Sequence, residues 1–450
     1  MRKKRQKQMP LMPPEIDHPQ AKELETTSRI LDDKPIICEH VMQDLCKDRP
    51  ASTRKGAKGM TAEQVLRAAI VKMLFGFTYK ELAFHIVDSQ SIQRFCRIGI
   101  ADKEFKKSVL NKNIKALSEK TWQTVNHVLM GYAKDQNIEK GRQVRIDCTV
   151  VESNIHSPSD SSLLWDAVRV LTRLLHRTKD DFGVIGLRSQ DHCRRAKKRM
   201  VAIQYTKSNR ARKPLYKDLL KVSRMYIDYA HSAIDLIYAA PATVSMMLLA
   251  GDLKQYIKLT QKVIDQTERS VLNGEKVPAS EKIVSLFEPH TDIIVKDRRE
   301  TFYGHKVCLT GGASNLIIDC IITNGNPADS TLSETMFHRQ KRIYGRYPLK
   351  VALDGGFASK TNLETAKDLK IKDVCFAKKR GLKVQDMYRS QWVYKRLRRF
   401  RAGIESGISW IKRCFGFARC TWKGLRSFKS YVWASIVSAN LLTIARKQLI

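Results

Sequence analysis

Three carboxylates, Asp147, Asp354 and Glu405, lie in three different kinds of segment. Asp147 interrupts the β-branched strand pattern RIDCTVV, where aspartate is depleted. Asp354 ends the apolar strand VALDGG, and Glu405 lies on a helical stretch. Taken alone, Asp147 has an alternative explanation as a hydrogen-bonded residue at a sheet edge. If the three converge, their mutual repulsion calls for a divalent metal, and two Mg²⁺ (or Mn²⁺) ions would support displacement at a phosphodiester.

The order of the elements predicts a sheet that can bring these carboxylates together. The strand with Asp147 precedes a long helical block. Two hairpin strands, a helix, the strand that ends at Asp354, a helix, a strand and the helix of Glu405 then follow. Without the helical block the order is β-β-β-α-β-α-β-α. In a mixed sheet of this order the first and fourth strands are neighbours, so Asp147 and Asp354 can meet, and Glu405 can reach them from a helix packed across the sheet.

The composition points to a globular protein with a polyanionic partner. The 450 residues are 43% apolar, enough for a real core, and 82 Lys and Arg face 45 Asp and Glu, giving a net charge of +37. Nucleic acid is therefore the expected partner. No membrane is expected, because no stretch reaches the roughly 18 to 20 apolar residues of a spanning helix. Ten cysteines without zinc-site spacing predict buried thiols in a reducing compartment, and we expect a cytoplasmic, nucleoid-associated protein.

We divide the chain into six segments. Capping boxes at Thr61 and Thr78, with Gly76 between them, predict short helices and a tight turn typical of small DNA-reading modules, although such helices also occur elsewhere. The segments are a basic, partly disordered 1–57, a helical DNA-binding domain 58–140, the first strand of the catalytic core 141–160, a helical insertion 161–290, the rest of the core 291–430 and a C-terminal packing helix 431–450.

Three motifs carry a resemblance to a known family. They are RIDCTVVESNIH around Asp147, VALDGGFAS around Asp354, and RAGIESGISWIKRCFGFARCTWKG around Glu405. Together they resemble insertion-sequence transposases of the DDE type, related to the IS-five-like and unclassified groups. The last motif matches most of the family signature Y-x2-R-x3-E-x6-K, with Arg401, Glu405 and Lys412 in place. The resemblance spans roughly residues 60 to 445, and its strongest element is the order of the motifs.

The resemblance implies a fold, an activity and a site. The fold is α/β, an RNase H-like mixed sheet with an all-helical N-terminal domain and a large helical insertion after the first strand. The activity is to cut double-stranded DNA at the element's ends and join the 3′ ends to target DNA, as a homo-oligomer on DNA. Asp147, Asp354 and Glu405 would be catalytic and hold two Mg²⁺ or Mn²⁺ ions. The cations expected to bind DNA are Arg401, Lys412, Arg398, Lys395, Arg396, Arg399 and Arg419.

The chain departs from the family pattern at two places. Arg398 stands where the signature has Tyr, which removes any stacking role of that ring. The helical insertion follows the first strand rather than the last, and its RRAKKR and RARK runs fit DNA, a second subunit or a solvated face equally.

The basic stretch 378–401 contains Tyr388, Trp392, Tyr394 and Phe400, which could stack on bases or pack beneath a basic surface.

Two other functions fit the same sequence. A metal-dependent RNase H-like nuclease would use the same three carboxylates without joining strands. A decayed transposase that acts as a DNA-binding repressor would need the basic surface but no metal site. The presence of all three carboxylates argues against the repressor.

Overall fold

The computed structural model describes most of the chain. It covers residues 16–47, 59–99, 104–180, 183, 186–239, 241, 243–296, 300–378 and 381–450.

Helices make up most of the described chain, and six strands form one sheet. The helices are α1 Pro19–Asp32, α2 Ile36–Leu45, α3 Ala62–Phe75, α4 Tyr79–Asp88, α5 Gln90–Phe95, α6 Lys107–Ala116, α7 Glu119–Asp135, α8 Asp160–Asp180, α9 Cys193–Tyr205, α10 Asn209–Ala239, α11 Val244–Thr267, α12 Ser333–Tyr344, α13 Lys360–Asp368, α14 Val384–Met387, α15 Gln391–Cys414 and α16 Leu425–Gln448. The strands are β1 Gln143–Glu152, β2 Asp292–Lys296, β3 Glu300–Gly312, β4 Ile317–Ile322, β5 Lys350–Leu353 and β6 Asp373–Phe376.

The sheet confirms the predicted mixed topology. Strand β1 lies in the middle, antiparallel to β3 and parallel to β5, and β6 extends the sheet parallel to β5. The first half of β3 pairs with β2 and the second half with β4. β2 was not predicted from the sequence, because it has only five residues and only Ile294 among them is buried, so it shows little apolar periodicity.

The N-terminal helices are more extensive than predicted. The capping boxes at Thr61 and Thr78 are both present, and Gly76 ends α3 in the left-handed region with φ 68°. However, α1 and α2 lie within 1–57, so the expectation of a loosely ordered segment is wrong for residues 19–45. The apolar side chains of these helices, Leu24 and Ile30 among them, are buried in the main core. Residues 1–15 and 48–57 of that segment lie outside the described residues.

The described chain has two separate hydrophobic cores. The main core joins the N-terminal helices, the sheet and α12 to α16, whereas the four insertion helices α8 to α11 share a core of their own. The insertion is helical as predicted up to Leu272, where a π-helical turn, Glu268–Leu272, ends α11. A separate core means that the insertion packs as a unit of its own, which follows the end of β1 in the chain.

The C-terminal helix closes one face of the main core. It begins at Leu425, earlier than the predicted residue 431, and Trp433 and Val437 in its middle are fully buried. The side chain of Asn440 accepts a hydrogen bond from the Ile317 backbone N–H (2.9 Å) and donates to its carbonyl (2.8 Å). These bonds satisfy backbone groups on the free edge of β4. No helix in the described ranges is long and apolar enough to span a bilayer.

The ten cysteines are all unpaired, as predicted. Six of them are buried, but Cys38, Cys46 and Cys193 are only half-buried and Cys414 is exposed. The expectation that all are buried is therefore wrong for these four, which lie at or near the surface ends of their helices.

Candidate active site

Asp147 lies mid-strand in β1, on the face opposite to the apolar side chains of Ile146 and Cys148. Its Oδ1 accepts a hydrogen bond from the Cys148 N–H at 2.7 Å. The pKa of Asp147 is raised to about 6, mainly because the side chain is buried and secondly because of the negative charge of Asp354. Asp147 is therefore a carboxylate whose charge lacks a full counterion in its surroundings.

Asp354 follows β5 directly and is brought to Asp147 by strand pairing. Ile146 pairs with Leu353 in parallel register, so the next residue of each strand is an aspartate of the site. The following turn requires glycine: a Cβ on Gly355 would lie 2.9 Å from the Lys378 side chain, and one on Gly356 would lie 2.7 Å from Asp329 Oδ2. The DGG motif thus combines a site carboxylate with a close approach of the chain.

Glu405 lies on α15, four residues after Arg401. The Arg401 guanidinium joins two carboxylates, with Nη1 3.1 Å from Asp354 Oδ1 and Nη2 2.9 Å from Glu405 Oε1. The helical step of four places Arg401 and Glu405 on one face, as the signature spacing predicted. Arg401 thereby compensates part of the negative charge of the site.

One cavity contains all three predicted carboxylates. It has a volume of about 540 Å³, and its lining includes Asp147, Asp354 and Glu405. Lys296, Lys412 and Arg413 also line it, so anionic and cationic side chains surround the same space. Burial and the nearby charge of Lys296 lower the pKa of Lys412. A cavity with this lining suits a phosphodiester, whose oxygens the cations can approach while the carboxylates face the reacting atoms.

A second cavity of about 310 Å³ shares Asp147 and Asp354 with the first. Lys306 on β3 and Asp329 line it and pair at 2.9 Å, and Lys306 Nζ also donates to the Pro327 carbonyl at 2.6 Å. Neither residue was predicted from the sequence, because a loop aspartate and a lysine 23 positions earlier show no pattern that links them. The only available signal was the turn-rich run NGNPADS between β4 and α12.

A chain of hydrogen-bonded side chains connects the elements that line this second cavity. Glu288 Oε2 contacts His290 Nε2 at 2.7 Å, His290 Nδ1 contacts His305 Nε2 at 2.8 Å, and His305 Nδ1 contacts Asp292 Oδ2 at 2.8 Å. Asp292 Oδ2 also accepts from the Gly325 N–H at 2.7 Å. The chain therefore ties the start of β2 to β3 and to the loop that carries Asp329.

Arg145, two residues before Asp147, holds α15 against β1. It is 5% exposed, donates from Nη1 to the Phe400 carbonyl at 2.9 Å, and its guanidinium lies 4.7 Å from the centre of the Phe400 ring. A Cβ on Gly403 would overlap Arg145 Nη1, so the helix reaches the arginine at a glycine. Arg145 was not predicted from the sequence either, because the Phe400 carbonyl that it contacts on α15 lies 255 residues away.

The predicted DNA-contacting cations lie in three places. Lys412 lines the cavity and Arg401 pairs with two carboxylates that line it, while Arg419 lies beside β1, where it donates to the Ile155 carbonyl and its backbone bridges Glu152. The rest are exposed on α15, namely Lys395, Arg396, Arg398 and Arg399. Arg396 stacks on the Trp392 ring at 5.3 Å. Their contact with DNA stays a prediction.

The aromatic residues of 378–401 mostly pack rather than face solvent. Tyr388 and Tyr394 stack with ring centres 4.7 Å apart, and Tyr394 is buried. Phe400 lies under Arg145, whereas Trp392 is 65% exposed and carries Arg396 over its ring. Residues 379 and 380 of this stretch lie outside the described residues.

The donor atoms fit a divalent cation in kind, because carboxylate oxygens are the ligands that Mg²⁺ and Mn²⁺ prefer. Repulsion between Asp147 and Asp354 is the condition that a bound cation would relieve. In the described part of the chain, however, no three His, Cys, Asp or Glu side chains are grouped closely enough to hold an ion. Glu405 is paired with Arg401 instead, so joint metal binding by all three carboxylates stays a prediction.

The fold and the carboxylates define the class of the protein. A mixed sheet with an aspartate on the central strand, a second aspartate after the neighbouring parallel strand and a glutamate on a helix across the sheet is an RNase H-like catalytic domain. Residues 289–441 match the family described as Transposase DDE domain, and residues 14–116 match the family described as Transposase domain (DUF772). No curated protein and no solved structure matches the chain.

The chain belongs to the DDE-type insertion-sequence transposases. It is therefore a polynucleotidyl transferase or endonuclease whose substrate is DNA, in a family that generally uses divalent metals. The DDE match includes Asp354 and Glu405 but begins at the end of the insertion and so leaves out Asp147. The N-terminal match begins at residue 14, which agrees with α1 and α2 being part of the folded domain.

Proposed function

We propose that this transposase cuts DNA at the ends of its element and joins the released 3′ ends to target DNA. The observation that carries the proposal is the shared cavity: Asp147, Asp354 and Glu405, from three separate elements, line one space together with Lys296, Lys412 and Arg413. Residues of these types surround the reacting phosphate in phosphoryl transfer, where positioning and charge stabilisation dominate.

The reaction consists of two displacements at phosphorus. In the first, a water oxygen bonds to phosphorus and the 3′ oxygen of the element leaves, so a 3′-hydroxyl is released. In the second, that 3′ oxygen bonds to a target phosphorus and a target oxygen leaves. The phosphodiester is conserved in the second step, so no protein nucleophile and no external energy source is needed.

We assign the three carboxylates as the ligands of two Mg²⁺ or Mn²⁺ ions. Such ions activate the attacking oxygen and stabilise the leaving oxygen. The charges of Asp147 and Asp354 already interact. Glu405, which pairs with Arg401, would become available to an ion once Arg401 turned to a phosphate oxygen. In this assignment Arg401 pairs with Asp354 and Glu405 before DNA binds and holds the DNA backbone afterwards. Lys412 and Arg413 orient the same strand.

The test is metal-dependent cleavage and joining of DNA that carries the element's own ends. Glu405→Gln is expected to abolish both products because it removes a site carboxylate. Glu364→Gln is the matched control: the two side chains are 58% and 59% exposed and each pairs with a cation on its own helix. The control should leave both products unchanged.

Asp354→Asn separates the candidate activities. Loss of joined product in this variant, with joining by the wild type, supports the transposase assignment. Cleavage by the wild type without any joined product would instead favour a nuclease. Tight binding with no cut in either protein would overturn the catalytic assignment.

A further inference from the structure

The insertion helices α9 and α10 carry a dense set of cations. Residues 193–224 include twelve Lys and Arg but a single acidic residue, Asp218. By contrast, α11 of the same insertion has three lysines and two aspartates over 24 residues. The positive charge of the insertion is therefore concentrated on one helix pair.

Only part of this charge is compensated within the protein. Asp218 pairs with both Arg195 and Arg199, the latter at 2.5 Å from Nε. Arg224 pairs with Glu268, and Lys213 donates to the Leu272 carbonyl. In the described structure seven exposed cations make no side-chain ion pair or hydrogen bond, and these are Arg194, Lys197, Lys198, Lys207, Arg210, Lys217 and Lys221.

The two helices run antiparallel, which places most of these cations on one side. Early residues of α9 meet late residues of α10, since the His192 N–H donates to Tyr226 Oη while Arg199 meets Asp218. Steps of about 100° per residue put Lys217 and Lys221 on the same side of Asp218. On α9, Arg194 and Lys198 each precede one of the arginines that contact Asp218. Because the helices are antiparallel, these two residues lie on the same side of the helix pair as Lys217 and Lys221.

We call this surface the basic face, defined as Arg194, Lys198, Arg210, Lys217 and Lys221. Along α10 it extends over about 11 residues, or about 17 Å at roughly 1.5 Å per residue. That length corresponds to about five base pairs of duplex DNA at about 3.4 Å each. Free lysines that are spaced along one line suit a phosphate backbone, where each neutralised phosphate releases condensed counterions.

We propose that the basic face binds the sugar-phosphate backbone of duplex DNA, at a place separate from the catalytic cavity. A second copy of the chain fits this surface less well, because protein interfaces are depleted in lysine and three of the five residues of the basic face are lysines. The insertion is rooted between β1 and β2, next to the strands that carry Asp147 and Lys296. DNA that enters the cavity can therefore continue along the insertion, and the basic face adds affinity without reading base sequence.

This inference rests on the proposed function only in that both require DNA, and it can be tested without catalysis. The probe is a fluorescent duplex of about 40 base pairs and arbitrary sequence in EDTA, titrated with the full chain at several salt concentrations. The test variant removes three charges from the basic face: K198Q, K217Q and K221Q. The control variant removes three charges from an exposed stripe of α11: K254Q, K258Q and K262Q.

We expect the test variant to weaken binding on the order of tenfold near about 0.1 M salt. The slope of log K against log salt should fall by about 0.9 for each phosphate that the protein no longer neutralises. The control variant should keep the wild-type affinity and slope. Because all six lysines are exposed, both variants should keep the wild-type circular dichroism spectrum and melting temperature.

Three outcomes would overturn the inference. Unchanged DNA binding by the test variant would show that the face does not touch DNA. Equal weakening in both variants would show only an effect of net charge. Unchanged DNA binding together with a shift in sedimentation would assign the face to a second copy of the chain. Failure of cleavage in the assay with element ends would leave this result untouched.

Discussion

Asp147 is the most buried of the three carboxylates, and it faces a second carboxylate without a full counterion. Its raised pKa has a consequence for stability. Between the ordinary value of 3.8 and about 6, the folded chain holds more proton at Asp147 than the unfolded chain does. Stability from this group therefore falls as pH rises through that window.

We predict that Asp147→Asn stabilises the protein at neutral pH, because it removes a buried charge but keeps the shape of the side chain. In EDTA at about pH 7.5 the free energy of unfolding should rise by up to about 3 kcal/mol, measured by urea denaturation. The gain should disappear below about pH 4, where the wild-type carboxyl is protonated in both states. Glu364→Gln should show no gain, and a destabilised Asp147→Asn at neutral pH would contradict this account.

Site residues could be predicted from the sequence where their type conflicts with the surrounding segment. The side chains that contact each other in the folded chain could not be predicted. Asp147 is conspicuous because aspartate rarely occurs mid-strand, and Asp354 and Glu405 follow from element order and helical spacing. Lys306 and Asp329 contact each other across two elements, and neither is unusual in its own segment. Pairing of this kind depends on the register of β3 and on the course of a loop, which single-residue patterns do not contain.

At the scale of elements, the position of α15 on the sheet decides where Glu405 lies. Arg145 fixes that position, through the Phe400 carbonyl and the close approach of Gly403, two residues before Glu405. Any side chain at 403 must displace either the guanidinium or the helix. The helix of the glutamate and the strand of the first aspartate are therefore fixed to each other by one arginine and one glycine.

We predict that Gly403→Ala and Arg145→Met are strongly coupled. Gly403→Ala alone should cost about 1 to 3 kcal/mol in urea unfolding and lower the single-turnover cleavage rate, because the new Cβ overlaps Arg145. In the Arg145→Met background the same alanine should cost far less, giving a coupling of about 1 kcal/mol or more. Additive effects of the two changes would contradict the proposed role of Arg145.

Gly407 on the same helix is the matched control. A Cβ there meets nothing within 4 Å, so Gly407→Ala should show no coupling to Arg145. It should stabilise the protein by up to about 1 kcal/mol through helix propensity alone. DNA affinity should be unchanged in all these variants, which separates an effect on the position of Glu405 from an effect on substrate binding.

Periodicity predicted the long elements and missed the short or charged ones. The strands β1, β3, β4, β5 and β6 and the helices α3 and α15 are long or apolar enough to show their period. Strand β2 has too few buried positions, and α1 follows a basic, proline-rich segment that dominates the composition of 1–57. In both cases tertiary packing supplies the stability that local pattern lacks.

At the scale of the molecule, the two hydrophobic cores define two cooperative units. The insertion core contains side chains such as Leu171, and the main core contains others such as Leu441, each fully buried. Because neither core shares buried side chains with the other, unfolding of one need not unfold the other.

We predict two transitions in calorimetric unfolding of the full chain. Leu171→Ala should lower the midpoint of one transition only, and Leu441→Ala that of the other, each at a cost of about 2 to 5 kcal/mol. The two variants serve as controls for each other. A single transition that both substitutions shift equally would show that the insertion and the catalytic sheet unfold together.

The insertion also affects how the protein folds during its synthesis. During synthesis, β1 cannot pair with β3, and Asp147 cannot meet Glu405, until the ribosome has made the residues in between. At about 5 to 20 residues per second, the interval from 147 to 405 lasts roughly 10 to 50 seconds. A nascent chain can fold its insertion during this time but has no complete active site. If the proposed assignments hold, we expect cutting only when translation is almost finished, and we expect a product truncated before Glu405 to lack cleavage activity.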